Sequence, residues 1–226
     1  MSYIEPPARI PLLLRLFLWL VERRIGRKLL ANRILTWYPR AFLGSGIMEG
    51  LVAHDEPELP RRLLALVRMY TSFLVSFPFC IDMNSREFEK KGITEHEITA
   101  LQGRVTIDEV PTFSEREKSA LRYVECMCRT PLEFTTEAIE DVKRNFSERG
   151  FLILASTCAQ VNFWTRLIQS LGVPPTGFST ECSVLNLDSY QTLATGARSP
   201  RFCTAIRGPG ARTPHPPPFP PSGGRS

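Results

Sequence analysis

Between Pro60 and Val75 the apolar side chains recur at three- and four-residue steps: Leu63, Leu66, Val67, Tyr70 and Leu74. That spacing lines one face of an α-helix and leaves Arg61, Arg62 and Arg68 on the side expected to stay wet. The chain lacks the runs of β-branched residues and the two-residue alternation that a sheet requires. An all-α helical bundle is therefore predicted.

Further helices follow from the same periodicity and from end signals. Residues 9 to 23 form one, and 27 to 54 a second region broken near Pro39 and Gly44. A helix is expected to begin close to Ser76-Phe77-Pro78, with Ser76 as its cap and Pro78 in its first turn. Thr94-Glu-His-Glu97 and Ser114-Glu-Arg-Glu117 each place a hydroxyl at a cap and a carboxylate three residues on, the capping-box pattern. Gly92 is placed to close the preceding helix in the left-handed conformation. Residues 136 to 146 make a short helix. Residues 151 to 171, apolar nearly all round, read as a buried central one that stops at Gly172-Val-Pro-Pro175.

The boundary of the folded part is set by composition. From Ala194 on, the chain is rich in Pro and Gly and carries Arg198, Arg201, Arg207, Arg212 and Arg225 with no acidic residue. These five arginines account for the whole formal charge of +5, so residues 1 to 193 are neutral. A neutral domain has no electrostatic reason to seek phosphate, which argues against nucleic acid as a partner. The expected organisation is a helical domain over 1–193 and a disordered tail over 194–226. The apolar run Ile10 to Val21 is shorter than the roughly twenty residues of a membrane span and is interrupted by Arg15, so no membrane association is expected. Six scattered cysteines without a secretory signal point to reduced thiols and a cytoplasmic location.

The segment Pro60 to Ser85 ends one helix and opens another with Cys80 in its first turn. Here the chain resembles the carboxymuconolactone decarboxylase and alkyl hydroperoxidase D-like family, whose motif runs Glu, eleven residues, Cys, two residues, Cys, three residues, His. The resemblance extends to Ala53-His-Asp-Glu-Pro57, to Gly92-Ile-Thr-Glu-His-Glu-Ile-Thr-Ala-Leu101 and to Ala159 through Pro174, and covers about residues 9 to 190. Cys80 matches the second motif cysteine, which in the peroxidase members corresponds to a peroxide-attacking thiolate. Phe77 stands at the first cysteine's place, Asn84 at the histidine's and Ala65 at the acidic residue's. The resemblance implies the family's all-helical fold, assembly into a homo-oligomer, and peroxiredoxin-like activity resting on one thiol.

The chemistry that remains can be gauged physically. A free thiol with a pKa near 8.5 is only about 3% ionised at pH 7, and lowering it to 7 requires roughly 2 kcal/mol of thiolate stabilisation. A helix N-terminus supplies about 0.3–1 kcal/mol at an exposed site and about 2 in a partly buried one. Asn84, at i+4, is expected to lie over Cys80 and position the thiolate without exchanging its proton. Asp82 is unfavourable to a second negative charge. A sulfenic acid on Cys80 would have no cysteine at the motif spacing to resolve it, so an external thiol reductant is expected. Phe77, Phe79, Phe73, Trp164 and Asn162 would wall a pocket for an organic hydroperoxide or another hydrophobic ligand. Gln160 and Asn162 also read as groups that satisfy neighbouring backbone groups.

Other chemistry has thin support. Cys126 and Cys128 point about 200° apart on a helix, one towards the core and one towards the surface. Cys158 reads as core, and Cys182 and Cys203 as exposed. His54 and His96 sit near helix ends, and no cluster has metal-ligand spacing, so neither metal nor cofactor is expected. Three readings stand: a single-cysteine hydroperoxide reductase, a catalytically silent binding or assembly member, and a carboxymuconolactone decarboxylase-type lyase.

Overall fold

The computed structural model describes residues 2–51 and 56–178. The described residues are helical throughout, without a strand: α1 (Leu12–Ile25), α2 (Leu30–Leu35), α3 (Pro39–Leu51), α4 (Arg61–Leu74), α5 (Pro78–Asn84), α6 (Glu95–Leu101), α7 (Glu115–Cys128), α8 (Thr136–Asn145) and α9 (Glu148–Ser170). The expected tail, together with His54, Cys182 and Cys203, lies outside the described residues.

α4 is the hub. It packs on α5, α7 and α9, and Leu63, Leu66, Val67 and Tyr70 are buried as its periodicity predicts. Burial extends round the helix to Leu64, Ala65, Met69 and Phe73. Each large side chain so enclosed contributes about 1.5–3 kcal/mol relative to exposure. Two of the three arginines expected to stay wet are drawn in. Arg62 bridges Glu97 at 2.5 Å and Glu117 at 2.8 Å. Arg68 donates to Gln160 at 2.8 Å, and burial pulls its pKa down. The reason is topological, since a helix surrounded on several sides has no wet face to give them.

The helix ends follow their local chemistry closely. Both predicted capping boxes form, Thr94 with Glu97 and Ser114 with Glu117. Their N3 carboxylates are the two that Arg62 bridges, so one side chain of α4 ties down the starts of α6 and α7. Thr135 caps α8 and Ser147 caps α9, starting the last helix three residues before the predicted Phe151. Gly92 is left-handed at φ 72° as expected, but it closes only a three-residue 3-10 turn, Glu89–Lys91. The predicted 27–54 region breaks ahead of Pro39, whereas Gly44 sits within α3.

Around this main core lie two smaller clusters. One joins Ala31 and Ile34 of α2, Phe77, Phe79 and Cys80 beside α5, and Ile168 and Val173 at the end of α9. The other joins Leu14, Leu18, Leu35 and Phe42. α9 is long and apolar enough to cross a membrane by length and composition, the one such helix among the described residues. Here it packs against α4, α5, α7 and α8. It is not enclosed all round, because Leu152 and Phe163 reach solvent.

Candidate functional site

The turn between α4 and α5 fixes the position of Cys80. α4 ends at Leu74, and Ser76 takes a left-handed φ of 51° that reverses the chain. Its hydroxyl donates to the Phe73 carbonyl at 3.2 Å, so Ser76 closes α4 and does not cap α5 as predicted. The extended residue before α5 is Phe77, which has no side-chain oxygen to offer, and Pro78 opens the helix as expected. Cys80 therefore stands in the first turn.

Its surroundings are mostly apolar. Cys80 is 3% exposed, packed in the cluster with Phe77, Phe79, Ala31, Ile34 and Ile168. The polar group that meets it is Thr165 of α9, whose Oγ1 donates to Sγ at 3.3 Å. Burial pushes the Cys80 thiol up to about 11; Thr165 pulls it down only in part, and the Glu49 charge adds to the rise. What the helix N-terminus offers does not make up for this burial. α5 has only seven residues, and its dipole is small against the loss of solvation around the sulfur.

Two further expectations about Cys80 change with the geometry. Asn84 donates its Nδ2 to Ser72 Oγ at 2.8 Å, so its amide ties α5 to α4 and the partner of the sulfur is Thr165. Asp82 is fully buried, but its Oδ2 accepts the backbone N–H groups of Thr176 at 2.9 Å and Gly177 at 2.7 Å. It holds the segment after α9 against α5. The carboxylate that disfavours the Cys80 thiolate is Glu49, from α3.

Glu49 belongs to a polar group between α3, α4 and α9 that periodicity did not reveal. Its Oε2 accepts from Gln160 Nε2 at 2.5 Å and from Trp164 Nε1 at 2.9 Å. Arg68 lies 3.9 Å from its other oxygen. Gln160 thus bonds two side chains where backbone partners were expected, whereas Asn162 does donate to a backbone carbonyl, that of Cys158, at 3.1 Å. A hint lay in the sequence, since Gln160, Trp164 and Arg68 are polar-bearing positions on helices that otherwise read as core.

The aromatic pocket expected around Cys80 is filled by the protein itself. Phe77 and Phe79 are 7% and 8% exposed and face each other with ring centroids 6.2 Å apart. Phe73 lies in the main core. Two open depressions lie along α9. One, of about 250 Å³, is lined by Val75, Cys128, Thr165, Arg166 and Gln169. Its neighbour, of about 320 Å³, shares Arg166 and includes Asn162 and Arg129. Asn162 is thus a wall residue, as expected, but of a surface away from Phe77 and Phe79. Thr165 is the link between the first depression and Cys80, lining the one and hydrogen-bonding the other.

The remaining described cysteines divide as the helix geometry predicts. Cys126 is buried in α7, and Cys128, at its last position, is half-buried. Cys158 is fully buried on α9. No cluster of three metal-ligating side chains occurs among the described residues.

Comparison with known proteins places this architecture. No protein-family model matches the chain. The uncharacterised YdfG of Bacillus subtilis is 26% identical over 140 residues, 61% of this chain and 93% of that protein. Among solved structures, a complex of the debrominase Bmp8, as a cysteine-to-alanine variant, with 2,3,4-tribromopyrrole superposes with a TM-score of 0.68 at 16% identity, over 84% of this chain and 98% of that one. The alkyl hydroperoxidase AhpD core of an uncharacterised peroxidase-related protein from Ralstonia eutropha superposes with a TM-score of 0.63 at 15% identity, over 78% and 94%. Sharing that arrangement over nearly the full length of both structures, the chain has the all-helical fold of the alkyl hydroperoxidase D-like proteins.

Proposed function

We propose that the protein is a slow single-thiol oxidoreductase that reduces hydroperoxides through Cys80. The observation that carries this reading is the placement of that sulfur. It stands in the first turn of α5 on an alkyl hydroperoxidase D-like fold, bonded to a threonine that lines an open depression. In the reaction Cys80 loses its proton and its sulfur attacks the outer peroxide oxygen. The O–O bond breaks, and the departing alkoxide takes a proton to leave as the alcohol. Cys80 is left as a sulfenic acid, which one external thiol converts to a mixed disulfide with release of water and a second thiol reduces.

Burial explains why the reaction is slow. A thiol titrating near 11 is ionised to only about one part in ten thousand at pH 7. A second reading, a silent binding or assembly member, draws support from the same burial. Exposed Leu13, Leu16, Trp19, Trp37 and Ile47 on and beside α1 to α3 further support self-association.

Residue-resolved sulfenic-acid labelling after exposure to hydrogen peroxide and cumene hydroperoxide separates the two readings. Label at Cys80 that is lost in Cys80→Ser, with turnover in the presence of a small thiol, supports the reductase. Labelling at Cys80 no faster than at a denatured thiol, with no turnover, leaves the silent reading.

A further inference from the structure

The sulfurs of Cys128 and Cys158 come from the end of α7 and the middle of α9, and they meet. Asn162 Nδ2 lies 3.7 Å from each, so one amide donor is shared between them. The same amide also donates to the Cys158 carbonyl at 3.1 Å, which fixes its direction. Thr71 Oγ1 of α4, which donates to the Val67 carbonyl at 2.7 Å, lies 3.4 Å from Cys158 Sγ. The two thiols act on each other's ionisation, Cys128 being raised and Cys158 lowered by its neighbour.

The pair is asymmetric in a useful way. Cys158 is fully buried, yet the neighbouring Cys128 thiol and the polar atoms of Thr71 and Asn162 hold its pKa down against desolvation. Cys128 keeps its proton and is held up by Cys158 and by burial. Cys128 is also the partner that reaches the surface, because it lines the depression beside Arg166. It is the last residue of α7, and Arg129 after it is extended, so no further helical turn clamps its backbone. Closing two sulfurs that share one amide neighbour to the roughly 2.05 Å of a disulfide then requires a shift at a helix end and not within one.

We propose that Cys128 and Cys158 form a reversible dithiol–disulfide site, oxidised by hydroperoxides and reduced by a small thiol that enters through the depression at Cys128. Cys158, the sulfur held down, starts as the thiolate and takes the Cys128 proton as the Cys128 sulfur attacks the outer peroxide oxygen. The O–O bond breaks and the alkoxide leaves, taking a proton from water. Cys158 then attacks the Cys128 sulfenic acid, the S–S bond forms, and hydroxide departs with the Cys158 proton as water. In the return direction an external thiolate attacks Cys128, the accessible sulfur. Cys158 is the leaving group, received by the Asn162 amide. A second external thiol releases Cys128 from the mixed disulfide. None of these steps uses Cys80, so the site stands or falls independently of the hydroperoxide reading for that residue.

The test uses the full chain, oxidised with cumene hydroperoxide, blocked with an alkylating agent and mapped by mass spectrometry without reduction. A peptide crosslinked through Cys128 and Cys158 is expected in the wild type and in Cys80→Ser, reversed by glutathione, and absent in Cys128→Ser. In Cys158→Ala the oxidation is expected to stop at Cys128, with sulfenic-acid label there rising about tenfold over wild type. Helical circular dichroism of both variants establishes that they are folded. Persistent sulfenic label at Cys128 in the folded wild type, or crosslinks joining other cysteine pairs in equal amount, would overturn the proposal. So would the absence of any crosslink in the wild type, a result that needs no variant at all.

Discussion

Cys80 and Cys158 are both buried thiols that abut α9, yet their environments act on them in opposite directions. Cys80 has the position long associated with an activated thiol, the first turn of a helix, but receives one hydroxyl and faces a carboxylate. Cys158 lies in mid-helix with a thiol, a hydroxyl and an amide beside it. Cys80 is driven up and Cys158 down. For a sulfur out of water, the count and direction of donors outweigh its place along a helix.

The largest effect expected from this contrast is in alkylation kinetics. In a Cys128→Ser, Cys158→Ala background, iodoacetamide should modify Cys80 at pH 7 about a hundredfold more slowly than it modifies the unfolded chain. The sign follows from the thiol being neutral below its raised pKa. The rate should climb about tenfold per pH unit and level off only near 11. A plateau below pH 9, read by peptide mass spectrometry, would break the comparison.

Smaller effects sharpen it. Thr165→Val removes the donor to Cys80 and keeps the shape, so the thiol should titrate higher still and alkylate about tenfold more slowly at pH 8, in line with roughly 1.5 kcal/mol for a bond to a charged acceptor. Asn84→Ala should change the same rate by less than about twofold, because the amide bonds Ser72 and not the sulfur. A large effect at Asn84 with none at Thr165 would reverse the assignment of the two residues.

How much of this was legible in the chain depends on the range of the interaction. The buried stripe of α4, both capping boxes, Pro78 opening α5 and the inward placement of Cys126 were readable. Each depends on residues a few positions apart. The contact of Cys158 with Asn162 could have been read too, since four residues on a helix bring side chains together. Thr165 beside Cys80, Thr71 beside Cys158 and Glu49 beside Gln160 could not, because they join positions 85, 87 and 111 residues apart. Ser76 was misread for a related reason. A serine before a helix and a serine after one look alike until the path of the chain shows which helix it closes.

The sequence by itself determined that the protein is helical, where most of its helices begin, and that a cysteine opens α5. Those outcomes follow from periodicity and from hydrogen bonds made within a turn or two. Only the tertiary structure decided whether each thiol is charged or neutral and reachable or enclosed, and which thiols meet. A sulfur's ionisation depends on how much water the surrounding helices remove and on which donors they bring, and the helices that do so come from distant parts of the chain.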